Sequence, residues 1–306
     1  MRSAKEKRNQ MSMGFQSRFL LSTSLFVLGL LHAASADEPR GKRHFNAKQA
    51  FNYSSPILFE LNLAENGFDR LNISEDGRYR LEPKDAPRVQ IDSRKKAVRF
   101  SVPKAPNSYR AEISLPSERG FQERWYGVRM FVPETWKFDP NPGADIVIQW
   151  HAVPGNLRLT YPNLSIAIQN QNWFVRRNFG SPQEGPVRRK HQLEEMVELG
   201  KWVTWIIHTK WSPRDDGQIQ VWKDGVEVFK QTGPNAYGTI GLDYTPYLKT
   251  GIYHPEWNLN SPEREARYSR EIPGIEQKQT LVSHLVVGSE KTSFESMQKL
   301  LENGSR

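Results

Sequence analysis

The chain of 306 residues contains no cysteine. That excludes a disulfide framework, a thiol nucleophile, and any cysteine-ligated zinc or iron–sulfur site. Long apolar runs are also missing beyond the first 31 residues, where no stretch exceeds about six residues, so a multispanning membrane protein is excluded. There is no internal repeat at 20–50 residues and no low-complexity linker. Aromatics, by contrast, are plentiful, with 9 Trp, 15 Phe and 10 Tyr against a hydrophobic fraction of 37%. A disordered chain does not carry that aromatic load.

The first 36 residues have the pattern of an export leader. Arg2, Lys5, Lys7, Arg8 and Arg18 precede an apolar run from Phe19 to Leu31, and Ala34-Ser35-Ala36 follows it. A basic segment, a 13-residue apolar segment and an A-x-A site form a secretory signal pattern, too short to span a bilayer with ease. The mature chain is then expected to be 37–306, one domain, secreted or periplasmic, monomeric and without stable membrane association. The formal charge of +9 falls when the leader is removed, leaving 38 basic against 33 acidic residues. A modest positive charge in an exported chain suits a polyanionic partner such as an acidic polysaccharide. Nucleic acid is not expected as a partner, because export separates the two.

The body is rich in strand signals. Apolar and polar residues alternate over Val98–Val102, Tyr109–Leu115, Trp125–Val132, Asp145–His151, Leu164–Gln169, Trp173–Arg176, Trp202–Trp211, Gln218–Lys223, Val226–Phe229, Tyr247–Tyr253 and Leu281–Val287. Asp224-Gly225 between two such runs predicts a two-residue hairpin, and Asp216-Gly217 a turn before it. Helix spacing is confined to Arg189–Leu199 and Ser293–Asn303. Many short strands in one domain predict an all-β antiparallel sandwich of the jelly-roll, concanavalin-like type.

Side chains two apart share a strand face. That rule sets Arg110, Glu112 and Ser114 opposite the apolar set Tyr109, Ala111, Ile113 and Leu115. It sets Asp145, Val147, Gln149 and His151 opposite Ile146, Ile148 and Trp150. It sets Tyr247, Lys249, Gly251 and Tyr253 opposite Leu248, Thr250 and Ile252. Three strands thus offer one face of titratable and amide groups each. Trp150, Trp202, Trp205 and Trp222 are expected in the core, while Trp173 or Trp257 is free to stack on a sugar. The clusters Arg176-Arg177 and Arg188-Arg189-Lys190 are candidates to line a groove.

The segments RAEI, WYGVRMFVPETW, DIVIQWH, GKWVTWIIHTKWSPRDDGQIQVWKDGVEV and YLKTGIYH, in this order, resemble the heparin lyase I-like polysaccharide lyases and the closely related glucuronan lyases. The resemblance runs from about Arg99 to Gly288. It implies β-elimination on a uronic-acid polymer. That reaction needs a base for the C5 proton, an acid for the departing glycosidic oxygen, and a group to hold the sugar carboxylate as charge develops on it. On the family pattern His151 is the base and Tyr253 the proton donor, with one or both steps open to Tyr253. Arg110 binds the substrate acid group, Gln149 flanks the site and Lys249 adds positive charge. No metal ligand set is evident; calcium, which some relatives bind away from the chemistry, stays open.

Two other classes compete. A glycoside hydrolase on a similar sandwich needs paired carboxylates flanking the bond. The E-x-D-x-x-E strand signature is absent, and Glu194, Glu195 and Glu198 fall in an expected loop or helix. A non-catalytic lectin keeps the sandwich and the basic residues but has no use for His151 and Tyr253 together. Finding those two more than about 8 Å apart favours the lectin, since acid and base must reach one sugar.

Overall fold

The computed structural model describes residues 51–62, 80–81, 89–139, 143–152, 161–181, 185–238, 244–269 and 274–303. All of them belong to the unit Arg43–Arg306. The leader expected over residues 1–36 lies outside the described residues.

Two antiparallel sheets face each other. The eight-stranded sheet runs in the order β14 (Val226–Thr232), β13 (Gln218–Lys223), β12 (Trp202–Lys210), β7 (Glu123–Phe131), β17 (Gln277–Gly288), β4 (Ala97–Pro103) and β3 (Val89–Asp92), with β1 (Ile57–Asn62) also on β17. The seven-stranded sheet runs β11 (Gly185–Met196), β10 (Asn172–Ser181), β9 (Leu164–Gln169), β8 (Asp145–His151), β16 (Tyr247–Tyr253), β5 (Arg110–Ser114) and β2 (Arg80–Leu81). A small pair, β6 (Glu118–Arg119) and β15 (Tyr244–Thr245), lies apart. This is the expected all-β jelly-roll sandwich. Neighbours in each sheet come from distant parts of the chain, as β8–β16–β5 shows, so the site-bearing strands meet only through the fold.

Alternation sends one face of each sheet inward. Trp150, Trp173, Trp205, Phe100, Met130 and Leu164 are all essentially without exposure between the sheets. Trp173 and Trp257 are buried at 1% and 0%, so neither is a sugar platform, contrary to expectation. Trp202 and Trp222 are half-buried rather than in the core. Trp222 instead packs on Trp125 and Phe294 outside the eight-stranded sheet.

That outer face is partly covered by helix α2 (Phe294–Asn303), whose Met297 and Leu301 pack on Ile206 and Val286. A Cβ at Gly127 would come within 2.8 Å of a Leu301 methyl, so the glycine permits the close approach. The expected Ser293–Asn303 helix is therefore present. The one expected over Arg189–Leu199 is not: those residues belong mostly to β11, paired in register with β10. Its charged side chains are exposed on both faces of an edge strand, a pattern that hides the two-residue period. A second helix, α1 (Pro262–Ser269), follows a 3-10 turn at Pro255–Trp257 just beyond β16.

The hairpin between β13 and β14 turns on Asp224 (φ 50°) and Gly225 (φ 86°). Two consecutive positive φ values are what a type I′ turn needs, and they explain the Asp-Gly pair. Among the described residues no helix is long and apolar enough to cross a membrane.

Candidate active site

The outer face of the seven-stranded sheet carries the polar residues picked out by alternation. β16 lies within it, between β8 and β5. On one side Tyr247 stands opposite His151 and Lys249 opposite Gln149. On the other, Lys249 stands opposite Ser114, Gly251 opposite Glu112 and Tyr253 opposite Arg110.

Glu112 binds these strands together. Its carboxylate accepts from Lys249 Nζ at 2.8 Å and from the Gln149 amide. All three residues are buried. Arg110 and Glu112 share a strand face, but the ion pair that Glu112 makes is with Lys249. The Lys249 charge is thus compensated, although its ammonium has three N–H donors and Glu112 takes only one.

At one end of this face is His151. Its Nδ1 lies 2.8 Å from the Ala152 carbonyl oxygen. A carbonyl only accepts, so Nδ1 holds the proton and Nε2 of the neutral ring is the acceptor. The Tyr247 ring lies 5.8 Å from the imidazole, centroid to centroid. At the other end is Tyr253, opposite Arg110, with the Tyr109 ring edge-on at 5.9 Å. Burial pushes the Tyr253 phenol above its ordinary range, helped by Glu112 and Tyr109 and opposed by Arg264 and Arg110. The phenol therefore rests protonated.

The register separates the two residues that the sequence pairs. Tyr247, opposite His151, is six residues from Tyr253 along β16. At about 3.3 Å per residue that is roughly 20 Å of strand. The structure joins His151 to Tyr247, Gln149 and Lys249, and Tyr253 to Arg110, on one continuous face but at different levels.

A bulge alters the expected faces of β8. Its pairings with both β9 and β16 shift register around Ile146–Ile148. Val147 accordingly joins the main core with Ile148 and Trp150, and Ile146 packs with Ala144, Ala167 and Tyr253. Asp145 is turned into a buried network that alternation did not foresee. Its carboxylate accepts from His254 Nδ1 at 2.6 Å and from Lys278 Nζ at 3.0 Å. Burial pushes that carboxyl up, but Lys278 and His254 outweigh it and hold it below the ordinary range. His254 follows Tyr253, and its backbone N–H donates to the carbonyl of Tyr109, next to Arg110, at 2.7 Å. The network thus fixes the backbone that presents both Tyr253 and Arg110.

Further across the sheet the face is basic. Arg176 stands opposite Ser165, which stands opposite Gln149, and Lys190 stands opposite Arg176. Lys190 Nζ lies 4.0 Å from the centre of the Phe174 ring, and the Arg188 guanidinium stacks on Tyr161 at 3.9 Å. Among the described residues no group of three or more His, Asp or Glu is placed to hold a metal ion.

A family model described as polysaccharide lyase matches residues 66–272. The chain belongs to this polysaccharide lyase family. It is therefore an enzyme, and the distance between His151 and Tyr253 bears on the division of labour rather than on whether there is catalysis. No curated protein sequence matches the chain. Among solved structures, the endo-β-1,4-glucuronan lyase of the fungus Trichoderma reesei superposes with a TM-score of 0.55 at 20% identity, over 76% of this chain and 94% of that one. The binding domain of botulinum neurotoxin DC, solved with rat synaptotagmin II, gives 0.45 at 10% identity over 74% and 46%. An alginate lyase of Pseudomonas aeruginosa gives 0.43 at 17% identity over 66% and 86%. The first of these likenesses shows the jelly-roll fold.

Proposed function

We propose that this polysaccharide lyase is an exported monomer that cleaves a uronic-acid polymer by β-elimination. The observation that carries the site assignment is the register of β8 on β16, which gathers His151, Tyr247, Gln149 and Lys249 at one level. His151 Nε2 takes the proton from C5 of the uronate. The C5–H electrons form the C4–C5 double bond, the C4–O bond breaks, and the departing oxygen takes a proton from the Tyr247 hydroxyl. The Gln149 amide and the Lys249 ammonium, each with N–H donors beyond the one given to Glu112, steady the carboxylate as its charge grows. Arg110 and Tyr253 hold the acid group of a sugar further along the polymer, and Arg176 and Lys190 extend the attraction sideways. The leader pattern of residues 1–36 supports export.

A second reading places the chemistry at Tyr253. It is favoured by the pairing of Tyr253 with Arg110 and by the raised phenol, which suits a proton donor.

The experiment that tests the function offers the mature chain several uronic-acid polymers, glucuronan first because the fold neighbour is named for it, then alginate- and heparin-like chains, each with and without calcium. New unsaturated uronate ends absorb in the ultraviolet. A rise on one polymer establishes elimination and names the substrate. New reducing ends without absorbance would mean hydrolysis, and binding without cleavage on every polymer would leave a lectin.

A further inference from the structure

The two basic clusters read from sequence divide between the faces of the β10–β11 hairpin. Arg176 and Lys190 pair across the strands on the outer face. Arg177 falls on the other side, in line with Trp173 and Val175, which belong to the main core. It is 9% exposed. Its Nε and Nη1 are buried with no hydrogen-bond partner, and its guanidinium carbon lies 4.8 Å from the centre of the Phe179 ring. The residue directly opposite on β11 is Arg189, another cation.

A buried charge without a counter-charge is strongly unfavourable. Like charges directly opposite on neighbouring strands add to the penalty. Among the described residues no carboxylate is recorded against either guanidinium. Burial first, and then Arg189, hold the Arg177 guanidinium below its ordinary range. An oxyanion between the two would satisfy the idle N–H groups in the forked geometry that guanidinium offers to carboxylate and sulfate.

From this we infer that Arg177 and Arg189 form an anion-binding site at the edge of the sandwich, apart from the outer-face groups, which takes one carboxylate or sulfate. The carboxylate of a uronate chain passing round the sheet edge and a free inorganic anion share this chemistry.

The test uses thermal unfolding of the whole chain at constant ionic strength. Chloride is replaced stepwise by sulfate in one series and by glucuronate oligosaccharides in another. Arg177→Met, Arg189→Ser and, as a control on the exposed edge strand of the other sheet, Lys230→Met are run beside the wild type. Salt exclusion raises every midpoint alike. Site binding adds a saturating rise, about 3 °C or more at tenfold the dissociation constant, in wild type and Lys230→Met. In sulfate that rise should vanish in Arg177→Met and shrink in Arg189→Ser; in oligosaccharide, which the outer face also binds, both variants should rise less than the wild type. In anion-poor buffer Arg177→Met should be at least as stable as wild type, because the change removes an unpaired buried charge. A deficit of Arg177→Met against the wild type with oligosaccharide alone makes the site part of the polymer track, and a deficit with sulfate makes it a general oxyanion site. The inference is overturned if all four proteins respond in parallel, or if Arg177→Met is less stable than wild type in anion-poor buffer. Because the readout is stability, its failure is distinct from a failure to cleave polymer.

Discussion

The Lys249 ammonium lies 2.8 Å from the Glu112 carboxylate, and the two side chains are only 5% and 2% exposed. This ion pair joins β16 to β5 beneath the outer face, and Glu112 reaches β8 as well through Gln149. Breaking a buried pair from one side leaves the other charge uncompensated, at a cost of about 3–5 kcal/mol. Glu112→Gln is therefore expected to lower the unfolding free energy by about that amount in urea titrations. Glu112→Gln combined with Lys249→Met should recover part of the loss, because no lone charge remains buried. If the double variant is as unstable as the sum of the single ones, the two residues are not coupled.

The proposed assignment gives the proton transfers to His151 and Tyr247 and binding to Tyr253 and Arg110, and single variants test it. His151→Ala and Tyr247→Phe should each reduce kcat by about a hundredfold or more, the usual worth of a positioned acid or base. Tyr253→Phe and Arg110→Ala should chiefly raise KM. Folding is checked by the unfolding midpoint, which Tyr247→Phe should leave within a degree or two. The reverse pattern, with Tyr247→Phe active and Tyr253→Phe dead, would move the reacting bond to the Arg110 end of the face.

The Asp145 network yields a separate expectation. Asp145→Asn leaves Lys278 and His254 facing a neutral amide in the interior, so stability should fall by about 3 kcal/mol or more. Because the network holds the backbone behind Tyr253 and Arg110, affinity for polymer should fall along with it. Adding Lys278→Met should restore stability more than affinity. An Asp145→Asn protein with unchanged KM would mean that the network serves the fold alone.

The contrast between face and level explains what could be foreseen. Period-two alternation correctly set Arg110, Gln149, His151, Lys249 and Tyr253 away from the core, because a strand's own pleat decides its faces. How far one strand slides along the next is set by contacts between distant segments, so the pairing of His151 with Tyr247, six positions before Tyr253, was invisible. For the same reason the bulge in β8 went unseen: one extra residue resets the alternation, and nothing in DIVIQWH marks it. β11 was misread as a helix because a charged edge strand lacks a buried face to betray its period. The Asp224-Gly225 hairpin was legible because its signal is entirely local.

His284 should govern part of the acid stability. It is fully buried on β17, opposite Arg129, and burial, aided by Arg129, lowers its pKa from 6.5 to about 4. The folded chain therefore keeps the ring neutral where the unfolded chain protonates it. Stability is complete above the unfolded value near 6.5 and declines as pH falls toward 4, by about 3 kcal/mol at most for a shift of this size. Protein with His284→Gln has no such group and should lose less stability over that interval. The decisive measurement is the unfolding free energy of both proteins from pH 7.5 to 4. Parallel curves would show that His284 does not titrate differently on folding, whereas curves that converge toward pH 4 identify it as the source of the slope.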